Sequence, residues 1–235
     1  MSRAAFPGDA FAAAGLNRQH VFDLAALPDA MRADLSPLPD ERSLILLGHA
    51  GRRLWDCVRV AGSGGADPID DHCRQTVVRV LAEHLPGQRY RLLYPGPIKV
   101  GLQALGKLAS WHHVSPFMVG VDEAWGSWFA YRAVILCSAD LPPTPVIERP
   151  SPCADCLGQP CIAACPAGAA GDPFLLDRCI DQRLRPASPC ADACPARNAC
   201  PVGAEHRYGD AQMRHSYGLS LAALRRWRER QTNPA

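Results

Sequence analysis

Two kinds of hydrophobic pattern alternate along the first part of the chain. Strand-like runs occur at RQHVFDL (18–24), RSLILLGH (42–49) and QRYRLLYP (88–95). Helix-like runs, with apolar residues three and four positions apart, occur at GRRLWDCVRV (51–60) and IKVGLQALGKLAS (98–110). Because strands repeat every two residues and helices every 3.6, these runs predict strands alternating with helices.

The clearest predicted helix is DPIDDHCRQTVVRVLAEHL (67–85). Asp67 is expected to cap its first turn, where Pro68 is tolerated, and Asp70 and Asp71 lie where the helix dipole favours negative charge. Its apolar positions form one stripe, which predicts the face that is buried in a core. These positions are Ile69, Cys73, Val77, Val80 and Leu81.

The segment FMVGVDEAWGSWFAYRAVILC (117–137) predicts two strands joined by a turn, so the elements mix as in an α+β fold. A proline-rich stretch at 140–152 ends this pattern, and the chain beyond it is rich in cysteine, proline, alanine and glycine. LSLAALRRWRERQ (219–231) then predicts a basic helix. We therefore predict a first domain over 1–145, a second module over 146–210 and a C-terminal basic helix over 211–235.

The charge balance gives no sign of a highly charged partner. Lys and Arg number 25 against 23 Asp and Glu, and a formal net charge of +2 provides no general field for nucleic acid or an anionic membrane. No run approaches the roughly 18 apolar residues of a membrane span, and the N-terminal residues lack the apolar core of a secretory signal. We expect a cytoplasmic protein that binds neither nucleic acid nor membrane.

The eleven cysteines are the strongest chemical signal in the chain. Disulfides are rare in a reducing compartment, so metal binding or catalysis is the better explanation. Cys57, Cys73 and Cys137 are scattered among apolar residues and are predicted to be buried, inert thiols. The other eight form two ordered groups that each end in Cys-Pro. They are Cys153, Cys156, Cys161 and Cys165, then Cys179, Cys190, Cys194 and Cys200.

This arrangement resembles bacterial ferredoxins, in which the run C-x2-C-x2-C-x3-C-P provides three ligands to one [4Fe–4S] cluster and a fourth to the other. The present groups have longer gaps but keep the ligand count, so two clusters are predicted. The resemblance implies crossed ligand sets, one of Cys153, Cys156, Cys161 and Cys200, the other of Cys165, Cys179, Cys190 and Cys194. Structural zinc and disulfides remain open as alternatives, since four thiolates also suit zinc.

Three segments resemble those of the cobalamin-dependent epoxyqueuosine reductases and their relatives the reductive dehalogenases. They are GSWFAYRAVIL (126–136), DLPPTP (140–145) and CADCLGQPCIAACPAGA (153–169). SLILLGHAGRRLWDCV (43–58), DPID (67–70) and WGSWFAYRAVIL (125–136) are also similar to segments of the cblC-type cobalamin-processing protein, which removes upper ligands from cobalamin. The resemblance implies a nitroreductase/flavin-reductase-like corrinoid-binding domain followed by a bacterial dicluster ferredoxin-like module.

The resemblance also implies a corrinoid site around GSWFAYR (126–132). Arg132 matches an arginine that helps bind the thiol cosubstrate of the cblC-type protein, and is predicted to hold a ligand or a corrin side chain. Tyr94 stands where epoxyqueuosine reductases carry an aspartate proton donor, and is a candidate proton donor here. The predicted cofactor-binding residues are Gly126, Ser127, Trp128 and Phe129.

These expectations combine into an iron–sulfur oxidoreductase that binds cobalamin and reduces it or reductively removes its upper ligand. The alternatives are a cobalamin-dependent reductase of an organic substrate and a ferredoxin-type electron carrier without corrinoid. The tyrosine in place of the donor aspartate, and the expectation that the tRNA-binding helical repeats of those enzymes are missing, predict no activity on epoxyqueuosine in tRNA. The predicted partners are a corrinoid and a redox-protein electron donor, and the oligomeric state is left open.

Overall fold

The chain forms two compact units. The computed structural model describes residues 3–62 and 65–232. Unit 1 contains Met1–Ser110 and Phe129–Glu148, and unit 2 contains Trp111–Trp128 and Arg149–Ala235. The chain therefore leaves unit 1, returns to it for one strand and leaves it again.

Within the described residues, unit 1 is built on a four-stranded antiparallel sheet with the strand order β1-β2-β4-β3. Its strands are β1 (Arg18–Asp23), β2 (Ser43–Ala50), β3 (Tyr90–Tyr94) and β4 (Phe129–Cys137). Every residue of β2 is buried, which explains its continuous apolar run. The three strands predicted before residue 100 are confirmed, and so is the α+β class.

The helices of unit 1 are α1 (Gly8–Ala13), α2 (Asp29–Leu35), α3 (Arg53–Ala61), α4 (Pro68–His84) and α5 (Leu102–Leu108), with a 3-10 turn at Leu24–Ala26. Helix α4 begins as predicted, because the Asp67 side chain accepts a hydrogen bond from the Asp70 backbone N–H at 3.2 Å. Its predicted apolar stripe is buried in one core with residues of the sheet, including Ile45, Leu47 and Ile135.

The predicted strand at 117–121 is wrong. Met118 has a φ of +69°, and the Ser115 hydroxyl donates a hydrogen bond to the Val119 carbonyl at 2.6 Å, so the backbone makes a tight turn there. Only an isolated bridge joins Val121 to His113. The apolar pattern that predicted a strand reflects burial instead, since Phe117 lies in the core of unit 2.

The three isolated cysteines behave differently from one another. Cys73 and Cys137 are buried as predicted, and burial raises the pKa of Cys73 to about 12. Cys57 is partly exposed and its Sγ lies 3.7 Å from the Ala13 carbonyl, so the prediction that it is buried is wrong. It lies in α3 and lines a cavity together with residues of α1 and α4.

Unit 2 consists of loops, short helices and one long helix. They are α6 (Pro160–Ala163), α7 (Leu176–Leu184), α8 (Pro195–Ala199) and α9 (Asp210–Thr232), with a 3-10 turn at Ala204–His206. The predicted basic helix at 219–231 is confirmed, and it begins at Asp210, one residue before the predicted C-terminal segment 211–235. Across the part of the chain that is described, no helix is both long and apolar enough to cross a membrane.

Candidate metal centres and polar site

All eight cysteines predicted as ligands lie in unit 2 as free thiols. Loops and short helices carry them, which allows the backbone to bend several times within a short length. Cys153 and Cys190 lie in turns and Cys156 in a loop. Cys161 and Cys179 lie in α6 and α7, and Cys165, Cys194 and Cys200 lie at or beside helix ends.

Electrostatic coupling divides these thiols into two groups of four. We call Cys153, Cys156, Cys161 and Cys200 the first cysteine set, and Cys165, Cys179, Cys190 and Cys194 the second cysteine set. Burial raises the pKa of Cys153, and the other three thiols of the first set raise it further. Burial likewise raises the pKa of Cys179, and the other three thiols of the second set add to the effect. Thiols that oppose each other's ionisation lie within electrostatic range of one another, which defines each set without placing its sulfurs around a single metal ion in the described part of the chain.

Backbone N–H groups point at the thiols. Burial raises the pKa of Cys165, but the N–H groups of Ala169, Ala170, Ala167 and Gly168 outweigh it, so that the pKa is lowered overall. The Ala169 N–H is 3.4 Å from the Cys165 Sγ. Successive N–H groups around one sulfur make an anion-binding concavity, which favours the thiolate that a metal centre requires.

Thiols from both sets form part of the hydrophobic core of unit 2. Cys161 and Cys200 are buried in one cluster with Phe117, and Cys165 and Cys194 pack against it. Within residues 3–62 and 65–232, no group of three or more His, Cys, Asp or Glu side chains is placed to hold a single metal ion. Unit 2 thus uses thiols where a domain ordinarily uses larger apolar side chains.

A second group of functional side chains lies in unit 1, and we call His49, Asp70, Tyr94 and Arg132 the polar site. Arg132 on β4 donates from Nε to His49 Nδ1 on the adjacent strand β2 at 3.0 Å. Burial raises the pKa of Tyr94 and of Asp70, and the charge of Arg132 opposes both rises, so these three side chains lie within electrostatic range of one another. The two residues predicted to be catalytic are therefore neighbours, and His49 and Asp70 join them.

The pKa values of Tyr94 and Asp70 are raised in spite of the nearby arginine. Burial raises the pKa of Tyr94, and the nearby Asp70 adds to the rise, against the lowering effect of Arg132. Burial and then the charge of Asp67 raise the pKa of Asp70. Tyr94 and Arg132 are partly exposed, whereas His49 is fully buried. The site therefore presents a protonated phenol and a guanidinium to any molecule that reaches it.

The predicted cofactor-binding segment is divided between the two units. Gly126, Ser127 and Trp128 belong to unit 2, and Phe129 begins β4 of unit 1. Gly126 has a φ of +57°, and a Cβ there would overlap the carbonyl oxygen of Val202. Only glycine fits this position, because a side chain would push away the loop that follows Cys200.

The side chains that follow Gly126 are packed within their own units. The Ser127 hydroxyl accepts a hydrogen bond from Arg197 Nε at 3.2 Å, and the Arg197 guanidinium lies 4.4 Å from the centre of the Trp128 ring. Phe129 is covered by Arg18 at 4.5 Å. Ser127, Trp128 and Phe129 are each less than a tenth exposed, so their side chains offer little surface to a ligand. Their contact with a corrinoid stays a prediction.

Three residues of these sites were missed in the sequence. His49 ends an apolar strand, and a polar residue at the end of a buried strand is a usable signal for a site. Asp70 was explained by the helix dipole alone, although α4 buries part of it. Arg197 lies between two predicted ligand cysteines in the PARNAC segment, and no pattern around it predicts burial.

The fold is similar to that of epoxyqueuosine reductases. One such structure, which contains an epoxyqueuosine-modified tRNA stem-loop, matches with a TM-score of 0.56 and 16% identity over 88% of this chain and 67% of that one. An epoxyqueuosine reductase from Bacillus subtilis, with its catalytic loop swung out of the active site, matches with a TM-score of 0.53 and 16% identity. The match covers 86% of this chain and 66% of that one. The chain spans about two thirds of the length of these enzymes.

The fold was also compared with a B12-trafficking protein, and the sequence with protein families and curated proteins. A B12-trafficking protein CblC of C. elegans matches with a TM-score of 0.47 and 15% identity over 89% of each chain, which is too low to support an argument. No protein-family model and no curated protein sequence matches the chain. The similarity to epoxyqueuosine reductases establishes the fold, and the activity must be argued from the site chemistry.

Proposed function

We propose that the chain is an iron–sulfur oxidoreductase that binds cobalamin and reduces it or reductively removes its upper ligand. In this proposal unit 2 is a dicluster ferredoxin-like module with two [4Fe–4S] clusters, and unit 1 is a nitroreductase-like corrinoid-binding domain. The observation that carries it is the presence of two sets of four coupled thiols in a chain whose fold is similar to that of epoxyqueuosine reductases.

The donor set fits two iron–sulfur clusters. Each cysteine set has the four thiols that a [4Fe–4S] cluster needs, and N–H groups such as that of Ala169 approach the sulfurs. Hydrogen bonds of this kind stabilise thiolate ligands and tune the reduction potential. Coupling of Cys200 with Cys153 across a long stretch of sequence supports the crossed ligand sets that the ferredoxin resemblance implies.

The polar site fits a corrinoid ligand in its chemistry. A guanidinium recognises the carbonyl and anionic groups that surround a corrin, and Arg132 is partly exposed and held by the buried His49. When bound, cobalamin supplies a cobalt centre that accepts electrons and exchanges its upper ligand. Tyr94 keeps a proton on its Oη at neutral pH, because its pKa is raised by burial.

These features assign roles to the residues of this chain. Arg132 binds and orients a polar or anionic group of the ligand. His49 fixes the Arg132 side chain on the strand beside it. Tyr94 is the proton donor, and burial raises the pKa of Asp70 beside it. The clusters of unit 2 supply single electrons of low potential.

A cobalamin-dependent reductase of an organic substrate is the second candidate, and the protonated Tyr94 favours it, because organic reductions consume protons as well as electrons. One similar structure holds a tRNA stem-loop, which weakly opposes the prediction that this chain binds no nucleic acid. We propose a small corrinoid ligand because the formal net charge is only +2. An electron carrier without corrinoid is the third reading.

The test is the absorption spectrum and the metal content of anaerobically purified protein, before and after addition of hydroxocobalamin. We expect a brown protein with about eight irons per chain, the sum for two clusters, and a shifted corrinoid spectrum on binding. Arg132→Ala is expected to weaken binding at least tenfold with iron unchanged, and the exposed Arg89→Ala serves as its control. Bound zinc without iron would contradict the two predicted clusters. If cobalamin does not bind at high micromolar concentration, the protein is an electron carrier without corrinoid.

A further inference from the structure

Arg197 is a buried cation in unit 2. It lies in α8 between the ligand cysteines Cys194 and Cys200, and only 7% of it is exposed. Its Nε donates to the Ser127 hydroxyl at 3.2 Å, and its Nη2 donates to the Ser127 carbonyl. Its guanidinium lies 4.4 Å from the Trp128 ring centre and 4.9 Å from that of Tyr208. All of these partners are uncharged.

A buried guanidinium needs more than neutral partners. The penalty for removing such an ion from water is several kcal/mol, and a desolvated cation–π contact returns about 2 kcal/mol. Among the residues that the structure describes, none of the ion pairs involves Arg197. The negative charge that balances it must therefore come from another kind of group.

The second cysteine set contacts Arg197 through the backbone of Arg197. The Arg197 backbone N–H is 3.5 Å from the Cys194 Sγ. Tyr217 links the two residues, because it hydrogen-bonds to the Arg197 side chain and is close enough to Cys194 to feel its charge. Arg183 adds a second cation on this side, since its Nε donates to the Cys190 carbonyl at 3.3 Å and its guanidinium lies 5.4 Å from the Tyr217 ring centre.

The first cysteine set has a smaller cationic environment. Arg207 donates from Nη2 to the Cys200 carbonyl at 3.3 Å, and its charge lowers the pKa of Cys200 against the effect of burial. Arg207 is partly exposed, so water screens its charge more than that of Arg197. Arg197 is therefore the more buried of the two cations, and α8 carries it between Cys194 of the second set and Cys200 of the first.

We propose that Arg197 is the internal counter-charge of the cluster held by the second cysteine set, and that it raises the reduction potential of this cluster above that of the other. The inference rests on the proposed iron–sulfur function. One-electron reduction makes a cluster more negative, and a fixed buried cation stabilises the reduced form more than the oxidised form. An electron that enters the module would therefore reduce the second cluster at equilibrium, and the first cluster would be oxidised again. No proton is required.

The competing explanation is that Arg197 only links the Ser127 backbone to α8. Two substitutions separate the explanations. Arg197→Lys keeps the charge but loses the planar stacking and the double hydrogen bond to Ser127, whereas Arg197→Gln keeps hydrogen-bond donors and loses the charge. A structural link would make both variants less stable and leave both potentials unchanged.

The experiment is a potentiometric titration of the cluster-containing protein with dithionite, followed by electron paramagnetic resonance. The signal of the second cluster is identified by its change in Cys179→Ser. In Arg197→Gln we expect the one-electron equilibrium of this cluster to shift at least tenfold toward the oxidised form, about 59 mV, with the other cluster unchanged. Arg197→Lys is expected to shift it less than about threefold.

Two further variants keep the inference open to contradiction. Arg183→Gln lies on the same side of the second set, so it tests the charge effect if Arg197→Gln does not fold, with an expected shift of about threefold. Arg225→Gln, on the exposed face of α9, is the control and should change neither potential. Two intact clusters whose potentials are the same in wild type, Arg197→Gln and Arg183→Gln overturn this inference alone, whereas protein without iron overturns the proposed function and this inference with it.

Discussion

The cores of the two units differ in what they are made of. Unit 1 buries leucine, isoleucine and valine side chains, such as Ile45, Leu47 and Ile135, that are 0% exposed. The core of unit 2 instead includes Cys161 and Cys200 beside Phe117, with further thiols packed against it. Large apolar side chains stabilise a fold without any other component, because each buried one contributes about 1.5–3 kcal/mol.

Under the proposed function, this difference makes unit 2 depend on metal more than unit 1 does. Thiols bury little apolar area, and the short helices of unit 2 provide few hydrogen bonds of their own. If unit 2 holds the proposed clusters, their binding energy becomes folding energy for unit 2, as in small metal-binding domains. Unit 1 has its own apolar core and should hold its fold with or without iron.

The largest expected effect comes from removing the iron. Treatment of cluster-containing protein with a chelator under oxidising conditions should abolish most hydrogen-exchange protection in α7 and α8, because their cysteines lose the group that joins them. Strands β2 and β4 should keep their protection. Equal protection of both units before and after treatment would break the comparison.

A smaller but local effect is expected from Gly126→Ala. The added methyl group would overlap the Val202 carbonyl and displace the loop next to Cys200, so we expect loss of the cluster held by the first cysteine set and about half of the iron. Gly218→Ala in α9, where a Cβ meets nothing within 4 Å, is the matched control. Full iron content in Gly126→Ala would show that the loop yields without harm.

An ion pair allows the stability of unit 1 to be changed alone. Glu41 is 6% exposed and accepts hydrogen bonds from Arg91 Nε at 2.7 Å and Nη2 at 2.9 Å. Glu41→Ala should lower the free energy of unfolding of unit 1 by about 2–3 kcal/mol, and leave the iron content unchanged. Chemical denaturation followed by the signals of each unit measures this. Asp29→Ala, which removes an exposed pair with Arg32, should change it by less than about 1 kcal/mol.

The smallest effect is a dependence of unit 1 on pH. Burial lowers the pKa of His20 from 6.5 to about 4. Between these values the unfolded chain binds one proton more than the folded chain, so stability is full above pH 6.5 and is lost as the pH falls toward 4. At pH 5 the loss should be about 2 kcal/mol. Thermal unfolding at pH 7 and pH 5 should show the loss in wild type and a much smaller one in His20→Gln.

Much of unit 1 could be predicted from sequence because its signals are local. The strands and the cap of α4 depend on residues within a few positions of one another, as with Asp67 and Asp70. The strand predicted at 117–121 was wrong because an apolar run indicates burial and does not indicate the backbone conformation. Met118 turns the chain there, and only the packing of unit 2 accounts for the burial.

The candidate sites could be predicted only in part, for a similar reason. Cysteines are recognised by their type and spacing, so the eight predicted ligands could be named without the fold, and their ligand role stays a prediction. His49 and Arg132 are 83 residues apart and meet only because β2 pairs with β4. Arg197 likewise contacts Ser127 from 70 positions away, and nothing in the residues beside it indicates a buried charge.

The most direct test of the central claim is transfer of electrons from the clusters to cobalamin in one complex. Protein reduced with dithionite, freed of excess reductant and mixed anaerobically with one equivalent of hydroxocobalamin should lose the spectrum of reduced clusters as the spectrum of reduced cobalt appears. The two changes should have equal rates and matching electron counts. Reduced clusters that persist beside unchanged hydroxocobalamin would contradict the account.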